Sequence, residues 1–174
     1  MIAYVDSSVL LRVVLGQPNA LPEWRSIERG VSSRLVAIES LRTLDRLRLR
    51  ARLADEEIAR RRAKVLEVIE TLELVEIDAP VLDRASQPMP TELGTLDAIH
   101  LASALLWREA MGVDPLLATH DAALAVAAQA QGFAVLGTDL TYGSVREAAP
   151  RPASGRRTGR RAAAGRGRGG RKGI

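Results

Sequence analysis

The sequence predicts an α/β domain with a central, mainly parallel sheet of five strands flanked by helices. Short apolar runs alternate with longer segments of helical periodicity along most of the chain, which is the pattern of strand–helix–strand units. The first run, residues 2–5, is wholly apolar, so both of its faces are expected to be buried, as in a parallel sheet. The crossovers between such strands are expected to be right-handed.

The first strand, residues 2–5, is followed directly by Asp6. Asp6 therefore lies at the carboxyl end of a strand, where open α/β sheets bind their ligands. Ser7 or Ser8 can cap the helix that follows over residues 9–15. The alternative interpretation is that Asp6 is a simple capping residue.

A second strand is expected at residues 31–36, after a short helix or turn that Gly30 ends. A long amphipathic helix then begins at Ile38, with its apolar side formed by Ile38, Leu41, Leu44 and Leu47. Glu39 lies near the start of this helix, and Arg42 and Arg46 follow on the same face. Taken alone, Glu39 is a solvated carboxylate with arginine neighbours.

The next helix begins at Asp55 and carries a dense basic run at residues 60–64. Such a run is usually a solvated face, and the alternative is a contact with nucleic acid. The two long helices are expected to form an antiparallel hairpin. A third strand at residues 74–78 and a short helix at residues 80–85 come next.

The central helix is predicted to begin at Thr95, whose hydroxyl can serve as the N-cap. Asp97 then lies in the first turn, where the helix dipole favours a carboxylate. A fourth strand at residues 116–119 is followed by Asp121 and an Ala-rich helix over residues 122–131. Residues 133–136 form the fifth predicted strand.

The composition narrows the class of protein. Only five residues are aromatic, so the core is expected to be aliphatic, and the absence of cysteine excludes disulfides, thiolate zinc sites and a cysteine nucleophile. No apolar run approaches membrane-spanning length, and no secretory leader pattern is visible at the start. We therefore expect a cytoplasmic protein.

The net charge of +4 averages two unlike parts of the chain. Residues 151–174 hold nine of the 25 basic residues and none of the 21 acids, which leaves residues 1–150 with a net charge of −5. The sequence thus predicts one domain over residues 1–149 and a disordered, basic Arg/Gly-rich tail over residues 150–174. Such a tail binds nucleic acid through phosphates or is a dispensable extension.

Four acids occupy comparable places in this predicted architecture. Asp6 and Asp121 follow strands, whereas Glu39 and Asp97 lie in the first turns of helices, so all four can converge above one edge of the sheet. Crowded carboxylates raise each other's pKa unless a positive charge compensates them. A divalent cation that prefers oxygen ligands, Mg²⁺ or Mn²⁺, is the simplest compensation and can assist phosphodiester hydrolysis.

These stretches together resemble the PIN-domain family. The resemblance is carried by Asp6-Ser7-Ser8 after the opening strand, Glu39 early in its helix, Asp97-Ala-Ile-His-Leu-Ala102, and Thr119-His-Asp121-Ala-Ala-Leu124. The stretch from Asp97 to Ala102 is its most specific part. Length and order are similar to the small bacterial PIN proteins, the VapC-type ribonuclease toxins, and the likeness covers about residues 1–140.

The resemblance implies an acidic, metal-holding pocket made of Asp6, Glu39, Asp97 and Asp121. Asp6 and Asp97 would be the main metal ligands, and Asp121 a ligand directly or through water. Glu39 would orient water. Ser7 and Thr119 would support the pocket with their hydroxyls.

The resemblance also implies an activity and partners: hydrolysis of RNA with Mg²⁺ or Mn²⁺, a homodimer, and a small antitoxin that covers the pocket with a basic side chain. Because residues 1–150 carry a net negative charge, a cluster of basic residues is expected near the RNA groove. Its members are Arg42, Arg46, Arg60, Arg61 and Arg62. The alternative is a catalytically inactive PIN-like module that binds RNA or a protein.

Two histidines fall beside these acids. His100 lies three residues after Asp97 on the same helix face, where a structural hydrogen bond is the simpler interpretation and an ion pair or metal role the alternative. His120 intervenes between Thr119 and Asp121, where the family more often has a small residue. It is either a local substitution or a contact with RNA.

Overall fold

The computed structural model describes residues 1–51 and 53–138, and the predicted tail at residues 150–174 lies outside this part of the chain. The described residues form five strands and six α-helices, with a 3₁₀ turn at Pro22–Ser26. The strands are β1 Ile2–Val5, β2 Arg29–Ser33, β3 Glu73–Val75, β4 Leu116–Ala118 and β5 Val135–Leu136. The helices are α1 Ser7–Val14, α2 Leu35–Ala51, α3 Asp55–Glu70, α4 Ala79–Ala85, α5 Thr95–Met111 and α6 Ala122–Ala130.

The five strands form one parallel sheet in the order β3-β2-β1-β4-β5, which confirms the predicted fold class. Strand β1 is central, and Tyr4 pairs with Val31 of β2 and Leu117 of β4. The chain first adds β2 and β3 on one side of β1 and then β4 and β5 on the other. The topological switch therefore lies between the carboxyl ends of β1 and β4, the usual ligand position in such sheets.

Two apolar layers cover the two faces of the sheet. Along β1, Ala3 and Val5 contact the layer formed with α1, α2 and α3, whereas Tyr4 contacts the layer formed with α5 and α6. This alternation follows the period of two along a strand. Both faces are buried, as the wholly apolar first strand predicts. No helix in the described ranges is long and apolar enough to cross a membrane.

The boundaries around β2 differ from the prediction. Gly30 lies inside β2 rather than ending a helix, and α2 begins at Leu35 rather than at Ile38. A Cβ atom at Gly30 would lie 2.5 Å from Leu72 Cδ2, so the glycine serves the close approach of a neighbouring side chain. The earlier start of α2 also places Ile38 outside the core, with 58% of its surface exposed.

The start of α5 also differs from the prediction. Its N-cap is Gly94, and Thr95 is the first helical residue, with no side-chain capping bond. Leu96 is 48% exposed, whereas His100, Leu101 and the small residues around them are fully buried. Because α5 is enclosed by the sheet, α4 and α6, a single apolar stripe does not describe its buried surface.

Candidate active site

Asp6 is the best-connected side chain at the carboxyl edge of the sheet. It is 4% exposed, and its Oδ2 accepts hydrogen bonds from Ser8 Oγ at 2.6 Å and Thr119 Oγ1 at 2.9 Å. Ser7 Oγ donates to Oδ1 over 3.3 Å, and the Ser8 N–H donates to Oδ2 over 3.4 Å. Asp6 is thus also the N-cap of α1, so the capping role and the site role fall on the same carboxylate.

Glu39 and His100 bring α2 and α5 together beside Asp6. The carboxylate Oε2 of Glu39 accepts a hydrogen bond from His100 Nε2 at 2.7 Å, and Asp6 Oδ1 lies 3.7 Å from the same nitrogen. A carboxylate oxygen only accepts, so Nε2 carries the hydrogen. The simpler interpretation of His100, a structural hydrogen bond, matches this geometry.

Tyr4 completes this buried chain of hydrogen bonds. Its hydroxyl lies 3.0 Å from His100 Nδ1, and both side chains are fully buried with their rings edge to face. Tyr4 was not among the residues that the sequence pattern singles out, although a tyrosine in a strand buried on both faces must find a partner for its hydroxyl. That requirement is the signal by which the sequence could have indicated it.

The pKa values in this cluster reflect burial and crowding. Partial burial raises the pKa of Asp97, and the negative charges of Asp121, Asp6 and Glu39 raise it further, against the opposing effect of His100. Although burial lowers the pKa of His100, its hydrogen bond to Glu39 and the nearby carboxylates raise it overall. Burial raises the pKa of Tyr4 well above its usual value, so its hydroxyl stays protonated.

Asp121 lies at the start of α6, as the sequence predicts. Its Oδ1 caps the helix by accepting from the N–H groups of Ala123 at 2.8 Å and Leu124 at 2.9 Å. Its own N–H donates to Thr119 Oγ1 at 2.9 Å, and that hydroxyl donates to Asp6, so Thr119 connects the ends of β4 and β1. Asp121 follows β4 as Asp6 follows β1, and because these paired strands are parallel, both acids lie at the carboxyl edge of the sheet.

The donor set of this site suits a hard divalent cation. Asp6, Glu39 and His100 each offer a ligand atom within 4.8 Å of the others, whereas Asp97 and Asp121, two of the three predicted metal ligands, are not part of this group. Because His100 Nε2 already donates to Glu39, the carboxylate oxygens are the available ligands, and such oxygens are preferred by Mg²⁺ and Mn²⁺. Burial is the first cause of the raised pKa of Asp97, and the carboxylates that add to it are negative charges that a dication would offset.

The five arginines expected near an RNA groove have different surroundings. Arg42 and Arg46 are exposed on α2, on the same helix face as Glu39, and Arg46 donates to Thr43 Oγ1 at 2.8 Å. On α3, Arg60 and Arg61 form ion pairs with Glu57, while Arg62 is exposed. Arg42 and Arg46 are therefore better placed than the arginines of α3 to contact a ligand at Glu39.

Comparison with known proteins agrees with this architecture. Residues 3–130 match the family model of the PIN domain. The chain is 36% identical over 137 residues to Ribonuclease VapC46 of Mycobacterium tuberculosis, a match that spans 76% of this chain and 95% of that protein.

Two solved structures share the fold. A toxin–antitoxin complex from Klebsiella pneumoniae has a chain with a TM-score of 0.51 and 17% identity, covering 68% of this chain and 86% of that one. VapBC2 from Rickettsia felis, bound to a DNA fragment from its promoter, has a chain with a TM-score of 0.51 and 11% identity. The match covers 78% of this chain and 97% of that one. At these identities the likeness concerns the fold alone.

Proposed function

The chain belongs to the PIN-domain family, and from this premise we propose that it is a metal-dependent endoribonuclease that acts as the toxin of a toxin–antitoxin pair. The relative with 36% identity is a ribonuclease by name, and its match spans nearly all of that protein. Two proteins of the same fold come from toxin–antitoxin assemblies. These likenesses support the proposed class of activity.

One observation carries the proposal. Asp6 and Glu39, which come from separate parts of the chain, both face His100 near the topological switch of the sheet. Burial, together with the charges of Asp121, Asp6 and Glu39, raises the pKa of Asp97. Such crowding costs folding free energy in the absence of a cation. Its position at the ligand-binding edge supports a function for it.

Each acid has a proposed role. Asp6, Asp97 and Asp121 would hold Mg²⁺ or Mn²⁺, which when bound neutralises phosphate charge and makes a water more acidic. Glu39, oriented by His100, would position the attacking water and accept its proton. Ser7 and Thr119 would hold the Asp6 carboxylate in place by donating to its oxygens.

The proposed partners follow from charge and from the family. An RNA strand would contact the exposed Arg42 and Arg46, which extend from Glu39 along α2. A small antitoxin with a basic side chain would fit the acidic pocket, because opposite charges pair there. We also propose a homodimer, as the family implies.

The test replaces Asp97 with Asn, which removes one ligand charge and keeps the side-chain volume. We expect Mg²⁺- or Mn²⁺-dependent cleavage of RNA to fall by roughly 10² or more, because the metal would be held poorly. Asp114→Asn is the matched control, since that side chain is 90% exposed and lies outside the acid cluster. Circular dichroism checks that both variants are folded.

Two outcomes would overturn the proposal. Cleavage by the wild type that survives removal of divalent cations, or that is unchanged in Asp97→Asn, would exclude metal-dependent hydrolysis at this site. RNA binding without any cleavage, together with no heat of metal binding in calorimetry, would instead indicate the inactive binding module.

A further inference from the structure

A polar cavity lies next to the acid cluster and has no part in the proposed hydrolysis. Its volume is about 450 Å³, within the range of small-ligand sites. The wall is formed by the second half of α1, the loop that follows it, the β4–α6 turn and the residues after β5, and includes Arg12, Pro18, Asn19, Leu21, His120 and Thr138.

Two hydrogen bonds connect this cavity with Asp6. The main-chain N–H of His120 donates to Ser8 Oγ at 3.0 Å, and Ser8 Oγ donates to Asp6 Oδ2 at 2.6 Å. Ser8 and Arg12 are one turn apart on α1, so they share a helix face and differ by about 6 Å along its axis. An RNA strand that is bound at the acid cluster and continues along α1 would therefore reach Arg12 next.

The ring of His120 is held in one orientation. Its Nδ1 lies 2.5 Å from the carbonyl oxygen of Gly137 and must donate to it. Gly137 has a φ of 92°, and a Cβ there would lie 2.7 Å from Thr119 O and 3.3 Å from the His120 ring. Only glycine allows this packing, so the backbone after β5 is shaped around the imidazole.

The other ring nitrogen of His120 is an unused acceptor. Because Nδ1 donates to the Gly137 carbonyl, the neutral ring leaves Nε2 as its acceptor. Nε2 is buried and has no hydrogen-bond partner among residues 1–51 and 53–138. Its partner has to enter the cavity rather than rest on the outer surface.

Arg12 supplies the positive charge of this wall, which also contains the carboxylate of Glu23. Within the described ranges it forms no ion pair, unlike Arg60 and Arg61, which Glu57 neutralises. A guanidinium binds a phosphate, and a hydrogen-bond acceptor beside it binds a donor. The two together therefore suit a ligand that carries both groups. A ribonucleotide has both, through its backbone phosphate and through its ribose 2′-OH or base N–H.

We propose that this cavity binds a ribonucleotide of the substrate adjacent to the cleaved bond, with Arg12 on its phosphate and His120 Nε2 accepting from its ribose 2′-OH or base N–H. This inference rests on the proposed ribonuclease function. It makes Arg12 and His120 determinants of substrate affinity and leaves the chemical step to the four acids.

The test uses Arg12→Gln and His120→Asn in the full chain. An asparagine at position 120 keeps a donor for the Gly137 carbonyl and removes the part of the ring that carries the Nε2 acceptor. Arg84→Gln is the matched control, because Arg84 lies on α4, outside this cavity and away from the arginines of α2. The probes are oligo(U) and oligo(A) RNA and their DNA counterparts, and the readouts are kcat and KM for cleavage and Kd by fluorescence anisotropy in an Asp97→Asn background.

We expect each cavity variant to raise KM and Kd for RNA by about 10-fold, with kcat changed less than about twofold and the control unchanged. A weakening in His120→Asn that is seen on RNA and absent on DNA identifies the 2′-OH as the donor. If binding weakens for both RNA and DNA, and the loss differs between the bases, the base N–H is the donor. Either result supports the subsite.

Other outcomes would overturn the inference. If the wild type cleaves RNA and both variants match it in KM and Kd, the subsite is wrong while the proposed function stands. If kcat falls at unchanged KM, the residues act on Asp6 through Ser8 and do not bind substrate. If the wild type does not cleave but its RNA affinity depends on Arg12 and His120, the proposed function fails and the cavity remains an RNA site.

Discussion

At the scale of single residues, buried polar side chains of the site each contact two different partners. Asp6 caps α1 through Oδ2 and faces His100 through Oδ1. His100 contacts Glu39 with one nitrogen and the Tyr4 hydroxyl with the other. Because each of these groups is desolvated, a change at one leaves its partner unpaired, and stability and activity are coupled in this cluster.

The pair His100→Leu and His100→Gln separates positioning from packing. Leucine leaves the Tyr4 hydroxyl and Glu39 without their partner, so we expect the free energy of unfolding to fall by about 1–3 kcal/mol and kcat to fall more than KM rises. Glutamine keeps a donor for Glu39 and should recover part of kcat. Urea unfolding and cleavage kinetics measure both effects. Equal kcat values for the two variants would show that His100 only fills space.

The raised pKa of Asp97 predicts a pH dependence for the metal-free protein. Burial and the charges of Asp121 and Asp6 make the folded protein hold this proton to higher pH than the unfolded chain does. Ionised Asp97 therefore destabilises the fold above its raised pKa, and protonation removes that penalty as the pH falls through it. Asp97→Asn should raise Tm at neutral pH by a small amount, because the side chain is only partly buried.

Thermal unfolding at a series of pH values tests the direction of this pH dependence. The difference in Tm between Asp97→Asn and the wild type should shrink as the medium becomes more acidic. A difference that grows toward acid pH, or an asparagine variant that is less stable at neutral pH, would contradict the electrostatic account of the acid cluster.

At the scale of elements, the site is assembled by the ends of β1 and β4 and the starts of α2 and α5. The parallel pairing of Val5 with Ala118 brings Asp6 and Thr119 side by side, and the first turn of α5 brings in Asp97. Glu39 is the fifth residue of α2 and lies beyond its first turn, contrary to the prediction, because the helix begins at Leu35. Each acid thus belongs to a rigid element near its terminus. The residues after β5, with Gly137 against Thr119, hold the β4–α6 turn in place.

Gly137→Ala tests this element against Gly16→Ala as a control. Both glycines have positive φ, at 92° and 61°, but a Cβ at Gly137 meets the Thr119 carbonyl whereas nothing lies within 4 Å of one at Gly16. We expect alanine at 16 to cost about 1–2 kcal/mol from backbone strain alone, and alanine at 137 to cost more. Chemical denaturation measures the two costs. Equal costs would mean that the close approach at Gly137 is unimportant.

At the scale of the whole molecule, an acidic body is joined to a basic end. Residues 1–150 carry a net charge of −5, although a nuclease must approach an anionic polymer. Under the proposed function, the nine basic residues at 151–174 would attract RNA over long range, and the exposed Arg42 and Arg46 of α2 would attract it locally.

Deletion of residues 150–174 should leave Tm unchanged, because the described core lies within residues 1–138. It should weaken RNA binding and flatten the dependence of log Kd on log salt by about 0.7 for each phosphate that the tail neutralises in the full chain. Anisotropy titrations at several salt concentrations measure the slope. An unchanged slope would assign the tail no role in RNA binding, and a lower Tm would show that it contributes to the fold.

The class of fold and the positions of three of the four acids follow from the sequence alone. Apolar runs and helical periodicity are local properties, and they indicated a parallel sheet with Asp6 and Asp121 after strands and Asp97 in a first helical turn. Tertiary structure decided which side chains touch. The start and rotation of α2, which the sequence misplaced by three residues, depend on packing against α1 and α3. The contact of Glu39 with His100, and of His100 with Tyr4, joins residues 61 and 96 positions apart, so no local pattern encodes it.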